Sequence, residues 1–473
     1  MSASGDSYAE PLRRAAHYAQ AHLDGMPSRR VPAEASVEDM LAAFGTTLPE
    51  DPTDPVAVID LLGGSAGPGV VGSPSGRFFG FVIGGVMPAP LAADWLVSTW
   101  DQNAAIKAVS PTHAALEQIA AQWLLDVLGL PDGSAVGFCT GATMANFTGL
   151  AAGRHAVLAA TGWDVGERGL NGAPPVRVLV GEERHDTVDL ALRYLGLGRP
   201  ETVPADDQGR MRADVLAQRL AEGEDRPTIV CLQAGNIHSG DCDPLEPIIE
   251  RAHQAGAWVH VDGAFGLWAA ASPGRRHLVA GLPQADSWAT DAHKTLNVGY
   301  DSGVCVVRDP TAMKAAMGMH GDYLITDPTV LESYERVPEL SRRGRAVPVW
   351  AALRSLGRTG LTELVDRLCR HARALAEGAA AIPDVQVLNE VVFTQVSLAI
   401  GDDARTEEVA RRLLEEGTVW MTGSHWHGRS VLRISVSNWS TDEEDVAVAL
   451  AALERAVTAT ATPAGEVTGL TGR

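Results

Sequence analysis

Between residue 135 and about residue 309, short apolar runs alternate with segments whose apolar positions recur at the helical period. The runs fall at 136–139, 176–180, 228–233, 258–262, 287–290 and 303–307, with helical patterns at 144–160 and 187–195 between the early ones. Strands that are apolar at nearly every position are covered on both faces, so this block predicts a large α/β layer built on a mostly parallel sheet with helices on both sides. Ahead of it the chain is polar and locally helical. Residues 11–23 carry Leu12, Ala16, Tyr18, Ala19 and Leu23 on overlapping helical faces, and 37–44 and 56–62 read as short helices separated by proline-rich links. That front is too thin to hold a core alone and is expected to pack on the main body or on a partner subunit. A glycine-rich loop at 64–74 and the run Arg77-Phe78-Phe79-Gly80-Phe81 lead to long helices at 90–103 and 111–130.

The last third has a different rhythm. Helices at 346–356 and 361–381 precede strands within 385–400, a helix at 406–416, strands at 418–422 and 431–438, and a charged helix at 441–459. This predicts a small α+β domain and a three-part chain: an N-terminal helical segment 1–85, a large domain 86–358 and a small C-terminal domain 359–473.

Composition narrows the functional classes. A formal net charge of -21 argues against a nucleic-acid binder or an anionic-membrane binder. The start of the chain has no apolar signal segment, and no run of 18 apolar residues occurs, so the expected location is cytoplasmic. Cys139, Cys231, Cys242, Cys305 and Cys369 are scattered without metal-ligand spacing, as expected of small buried side chains in a reducing compartment. No metal site is expected.

Chemistry concentrates after the predicted strands. The run 285–307, ADSWATDAHKTLNVGYDSGVCVV, sets Lys294 in a polar turn between two apolar strands. Burying an ammonium is costly unless it is paired or its pKa falls, and a lysine kept neutral can form a Schiff base with a carbonyl; a lysine snorkelling to solvent is the simpler alternative. Cys139-Thr140-Gly141-Ala142-Thr143 follows a strand and opens a helix, where free N–H groups can take an anion; it lacks the P-loop GKS or GKT. Asp262 ends the strand 258–262, the edge where parallel sheets bind ligands. His185 follows another strand and starts a helix, suited to stacking on a ring or moving a proton, or simply to capping. Asn236 follows a fourth strand and can donate to a ring substituent. An anion grip, a ring partner, an acid for a ring nitrogen and a Schiff-base lysine together match the needs of pyridoxal phosphate. They do not choose the bond to be broken.

The stretches HVDGAFG at 260–266, ADSWATDAHK at 285–294, LSRRGR at 340–345 and VLRISVSNWSTDEED at 431–445 are more specific. With them the chain resembles the pyridoxal-phosphate-dependent group II amino-acid decarboxylases, the aromatic-L-amino-acid and glutamate decarboxylase family of the aspartate-aminotransferase fold, known as fold type I. The resemblance implies a seven-stranded large-domain sheet, decarboxylation of an L-amino acid and a homodimer joined through the N-terminal part. It implies that Lys294 carries the cofactor, that His293, Ala142 and Thr143 contact its phosphate and that Asp262 pairs with the ring nitrogen. Ala264 and His185 would cover the two ring faces. Asp291 stands near the phosphate where the family often has Asn, and Asn236 stands where a threonine is usual. Tyr334, or Tyr323 on the same loop, would return a proton to Cα. Phe78, Phe79 and Phe81, with Trp100 or Trp350, would line the substrate cavity and favour an aromatic or apolar side chain, core packing being their other reading. Arg433 is read as a domain-packing ion pair, or as a carboxylate clamp that keeps transamination or aldol-type cleavage open. A non-catalytic scaffold on the same fold is the remaining alternative. His425, Trp426 and His427 fall in a turn of the small domain with no assigned role.

Overall fold

The computed structural model describes residues 6–222, 226–319 and 331–460. Seven strands form the large sheet: β1 (Ala135–Cys139), β2 (Arg177–Gly181), β3 (Glu201–Val203), β4 (Thr228–Gln233), β5 (Trp258–Asp262), β6 (Ser287–Asp291) and β7 (Gly303–Val307). Their spatial order is β1-β7-β6-β5-β4-β2-β3. The pairings from β3 through β6 are parallel, and β7 runs antiparallel to both β6 and β1. Every residue of β1, β5, β6 and β7 is buried; β1 and β7 read as apolar runs, while β5 and β6 also bury polar side chains such as His260, Ser287 and Thr290. Along β5, Val259 and Val261 enter the core on one face, while Trp258 joins the core beneath the helix Ala142–Ala159 on the other. Helices therefore cover both faces, the layering that the sequence pattern predicts.

A second sheet holds β8 (Val385–Val387), β9 (Gln395–Ile400), β10 (Thr422–Trp426) and β11 (Arg429–Ser435) in the order β10-β11-β9-β8, all antiparallel. Its apolar face packs on the helices Asp403–Glu416 and Glu443–Ala459 and on the second half of Ala346–Ala380. The two helices predicted at 346–356 and 361–381 lie within Ala346–Ala380 and are separated by a kink at Gly357, whose φ of 60° only glycine adopts readily.

Two predicted details differ. The short edge strand β3 was not expected, because only one of its three residues is buried and it leaves no apolar run. The strand expected at 418–422 begins at Thr422 instead. The residues before it pair with the front of the chain: Trp420 N–H donates to Arg77 O at 3.1 Å, and Phe79 N–H donates to Trp420 O at 2.8 Å. The three front helices Asp6–Gly25, Val37–Phe44 and Pro55–Ser65 include no buried residue in the second and third, and Arg14 joins the first to the third through Asp60 at 2.6 Å.

Candidate active site

Parallel strands deliver their C-terminal ends to one edge of the sheet, and the residues that follow β2, β4, β5 and β6 meet there. Lys294, Asp262, His185 and Ala264 line one cavity of about 310 Å³, at the lower end of ligand-site volumes. These positions span more than a hundred residues of sequence, and only the sheet topology brings them together.

Lys294 follows β6 in a tight turn. Its backbone carbonyl lies so close to the loop holding Gly84 that a Cβ at 84 would approach it to 2.1 Å, so glycine is required there. Lys294 Nζ stands 2.9 Å from Asp291 Oδ2, and the Asp291 side chain is only 3% exposed. The Lys294 side chain is 20% exposed, so its ammonium is only partly withdrawn from solvent, and it is paired with a carboxylate. Asp291 Oδ1 accepts the Ala142 N–H at 2.6 Å at the start of the helix Ala142–Ala159, so this anion-seeking helix end already faces a carboxylate. His293 Nε2 lies 3.5 Å from the same Oδ1. Ser302 N–H donates to His293 Nδ1 at 3.2 Å, which assigns the ring proton to Nε2. Burial pushes the His293 pKa down, keeping the ring neutral. The Tyr300 ring stacks on it at 4.2 Å between centroids.

Asp262 ends β5 almost wholly buried. Its Oδ2 accepts from Asn146 Nδ2 at 3.0 Å and its Oδ1 accepts from Ala264 N–H at 3.2 Å. Burial pushes its carboxyl pKa up, opposed by the positive charges available at His185 and Lys294. Across the cavity, His185 caps the helix Asp186–Tyr194, its Nδ1 accepting from Thr187 N–H at 3.3 Å and lying 2.8 Å from Thr187 Oγ1. One nitrogen of this histidine caps the helix, and the residue also lines the cavity.

Several expected residues lie elsewhere. Asn236 is turned away: its Nδ2 donates to Glu183 Oε2 at 2.9 Å and its Oδ1 accepts the N–H groups of His238 and Ser239. Gln233, the last residue of β4, lines the cavity in its place. Tyr334 is buried at 2% exposure against Ala105, with Ile106 and Leu340 packed on them, and is not among the cavity-lining residues. Tyr323 lies outside the described residues. Of the three phenylalanines only Phe81 lines the cavity; Phe78 stacks on Trp420 and Phe79 is buried in the small-domain core. Trp100 packs edge-on against His113 and Trp350 stacks on Trp123, so neither reaches the cavity. Arg433 has no acidic partner among the described residues. It lines the cavity, and its one hydrogen bond goes to Ile237 O at 3.4 Å. Sequence reasoning missed Tyr300, although it stands only six residues beyond Lys294. The turn residues Trp426 and His427 clasp the large domain instead, Trp426 Nε1 donating to Glu183 at 3.0 Å and His427 Nε2 lying 3.2 Å from Asp207 O.

A larger surface cleft of about 710 Å³ includes Asp206, Arg210, Asp241 and Asp243, but its charges serve one another and the backbone. Among the described residues no cluster of histidine, cysteine and carboxylate groups could hold a metal ion, and no helix is long and apolar enough to cross a membrane.

A lysine, a buried acid and an imidazole around one cavity on a seven-stranded fold type I sheet define a pyridoxal-phosphate enzyme class. Residues 38–400 match the family described as the pyridoxal-dependent decarboxylase conserved domain, and the chain belongs to it. It is 26% identical to the cysteine sulfinic acid decarboxylase of Homo sapiens over 407 residues, covering 80% of this chain and 81% of that one. It is 24% identical to the aromatic-L-amino-acid decarboxylase of Bacillus atrophaeus over 447 residues, covering 90% of each. The fold matches the structure of Oryza sativa TDC with PLP and tryptamine at a TM-score of 0.90 with 21% identity, covering 97% of this chain and 99% of that one. Mouse CSAD matches at 0.89 with 21% identity, covering 96% and 99%. The chain is a pyridoxal-phosphate-dependent amino-acid decarboxylase.

The residues present fit that cofactor at the lysine, acid and ring-face positions. At the helix start an anion would meet Asp291. A carboxylate and a second anion about 4–6 Å apart repel by several kcal/mol at an effective dielectric near 20. Asp291→Asn is therefore expected to tighten cofactor binding by about tenfold, read from equilibrium titration of the cofactor-free chain. Weaker binding by the variant would mean that the Asp291–Lys294 pair organises the site more than it repels the phosphate.

Proposed function

We propose that this chain decarboxylates an L-amino acid with an aromatic or apolar side chain, with Lys294 as the cofactor-bearing lysine. The observation that carries this reading is the single cavity shared by Lys294, Asp262, His185 and Ala264. Pyridoxal phosphate, when bound, supplies an electron sink for the pair released from the Cα–carboxylate bond. Asp262 holds a proton on the ring nitrogen and so stabilises negative charge developing on the substrate side. His185 covers one ring face and Ala264 packs on the other, which leaves the lysine edge open to the incoming amine. Ala142, Thr143 and His293 serve the phosphate end. With Nδ1 engaged by Thr187, His185 has Nε2 available to carry a proton to Cα, and the Tyr300 phenol is a second donor within the same cavity. Phe81, Val82, Ile83, Ile237 and Phe265 give the cavity apolar surface that suits an apolar side chain and excludes water.

Assay of purified protein with a panel of aromatic, aliphatic and acidic L-amino acids tests this. Amine and CO2 in equal amounts, fastest with aromatic or aliphatic substrates, are expected; keto acid without CO2 would overturn decarboxylation in favour of transamination.

Arg433 favours a second reading, an acidic substrate side chain, because a guanidinium lines the cavity without an acidic partner. Burial pushes its pKa down, and a bound carboxylate would relieve that cost. On this reading Arg433→Met lowers kcat/KM for acidic amino acids by about 10- to 100-fold and leaves aromatic ones nearly unchanged. On the apolar reading the variant changes both classes alike.

The chain acts as a homodimer in the cytoplasm on this account. Support for the dimer comes from Tyr8, Leu12, Val37, Leu41, Leu48 and Leu62, exposed apolar side chains concentrated on the front segment. Support for a reducing compartment comes from five buried cysteines, all unpaired. Light scattering should give twice the chain mass.

A further inference from the structure

Behind Asp262 the helix Ala142–Ala159 lies directly on β5, in a register that matches polar group to polar group. Asn146 faces Asp262, Gly149 faces His260 and Gly153 faces Trp258. A Cβ at 149 would come within 2.7 Å of the His260 ring, and one at 153 within 2.7 Å of Trp258. Glycine inside a helix costs about 1 kcal/mol relative to alanine, so two of them on one stripe mark a close approach.

That approach closes a chain of hydrogen bonds with no solvent in it. Trp258 Nε1 donates to Ser287 Oγ at 3.0 Å. Ser287 Oγ lies 2.8 Å from His260 Nδ1. His260 Nε2 lies 2.9 Å from Asn146 Oδ1, and Asn146 Nδ2 donates to Asp262 Oδ2 at 3.0 Å. His260, Asn146 and Ser287 are all completely buried.

The charge state of Asp262 fixes every proton in the chain. An indole N–H can only donate, and an ionised carboxylate can only accept. Asn146 must therefore turn its NH2 to Asp262 and its oxygen to His260. His260 must then carry its proton on Nε2 and accept at Nδ1 from the Ser287 hydroxyl, which is free to donate because it accepts from Trp258. The neutral ring this requires agrees with burial pushing the His260 pKa down to about 3. All four hydrogen bonds point the same way, toward Asp262.

We propose that Asn146, His260 and Ser287 are positioning residues that hold the Asp262 carboxylate ionised and oriented for the cofactor's ring nitrogen. With Asp262 protonated the chain could reverse, the carboxyl donating to Asn146 and Ser287 Oγ accepting from both Trp258 Nε1 and His260 Nδ1, so that the His260 proton would sit on Nδ1 instead. The fixed polarity thus offsets part of what burial does to this carboxyl. The inference rests on the reading of Asp262 given above.

Nitrogen-15 spectra of the histidine-labelled full chain test the polarity without any substitution in the protein under study, His260→Gln serving only to assign the signal. The expected result is one neutral tautomer, protonated at Nε2, between about pH 5 and pH 8. An Nδ1-protonated ring or an imidazolium in that range would overturn the inference. The functional arm measures cofactor affinity and the pH profile of the bound cofactor's visible absorbance. Asn146→Leu should weaken affinity by about tenfold and move that profile, with Ser287→Ala acting in the same direction but less. Variants that lower the unfolding temperature yet leave affinity and profile unchanged would make the chain merely structural and also overturn it. A wild-type chain that takes up no cofactor would refute the reading of the site, while the tautomer result would still stand or fall separately.

Discussion

Replacing Lys294 with alanine should abolish the visible absorbance of the cofactor-loaded protein and lower decarboxylation by at least about 10⁴-fold. The size follows from the double use of this side chain. It lines the cavity as the group proposed to form the Schiff base, and it is the cation paired at 2.9 Å with the buried Asp291. Lys294→Arg separates the two uses, because arginine keeps the charge beside Asp291 but forms no Schiff base with the cofactor aldehyde. The arginine variant should fold with wild-type stability and remain as inactive as the alanine variant. Activity within about tenfold of wild type in either would remove Lys294 from the chemistry.

The second large effect concerns stability. Glu117 on the helix Pro111–Leu128 and Arg342 form an ion pair at 2.7 Å, with side chains only 3% and 1% exposed. Arg342 also donates to Phe138 O and Ala104 O, both at 3.2 Å, fastening the LSRRGR stretch beneath the end of β1. Burial pushes the neighbouring Arg336 pKa down, and Glu117 is the first of the charges that oppose it. Removing Glu117 therefore leaves the buried Arg342 guanidinium without its carboxylate partner and weakens the charge opposing the shift at Arg336. Glu117→Leu is expected to cost about 3–5 kcal/mol in denaturant unfolding, and Arg342→Met a similar amount. The double variant should cost clearly less than the sum, since it removes the stranded charges together with the pair. Strict additivity would mean that the two side chains stabilise the fold independently.

How much of this was legible in the sequence differs by element. The strands β4, β5 and β7 were readable to the residue, because burial on both faces leaves a nearly continuous apolar run, broken only at His260 in β5. The break at Gly357 was readable as a gap between two helical patterns. β3 was not, since an edge strand with one buried residue has no pattern to detect. At the site, Lys294, Asp262 and His185 stood out in the sequence because each lies at, or within four residues of, the end of one of the parallel-paired strands β5, β6 and β2. The loop residues were harder. Asn236 and Gln233 lie beside the same strand end, and only the backbone path turns one inward and commits the other to Glu183. Tyr334 carried a family expectation; in this chain it packs against Ala105 and is not among the cavity-lining residues. Arg433 read as a packing ion pair, and what the sequence could not reveal was the absence of an acid opposite it among the described residues. The Asp262–Asn146–His260–Ser287 chain was out of reach, because it depends on how a helix sits on a strand more than a hundred residues away.

Lys294 as the attachment point can be tested in a single experiment, because the chain contains only three lysines, Lys107, Lys294 and Lys314. Lys314 pairs with Glu335 at 2.9 Å, and Lys107 is not among the cavity-lining residues. Borohydride reduction of the cofactor-loaded protein followed by peptide mass analysis should find the cofactor's mass on Lys294 alone. Its appearance on Lys107 or Lys314, or on no lysine, would contradict the account.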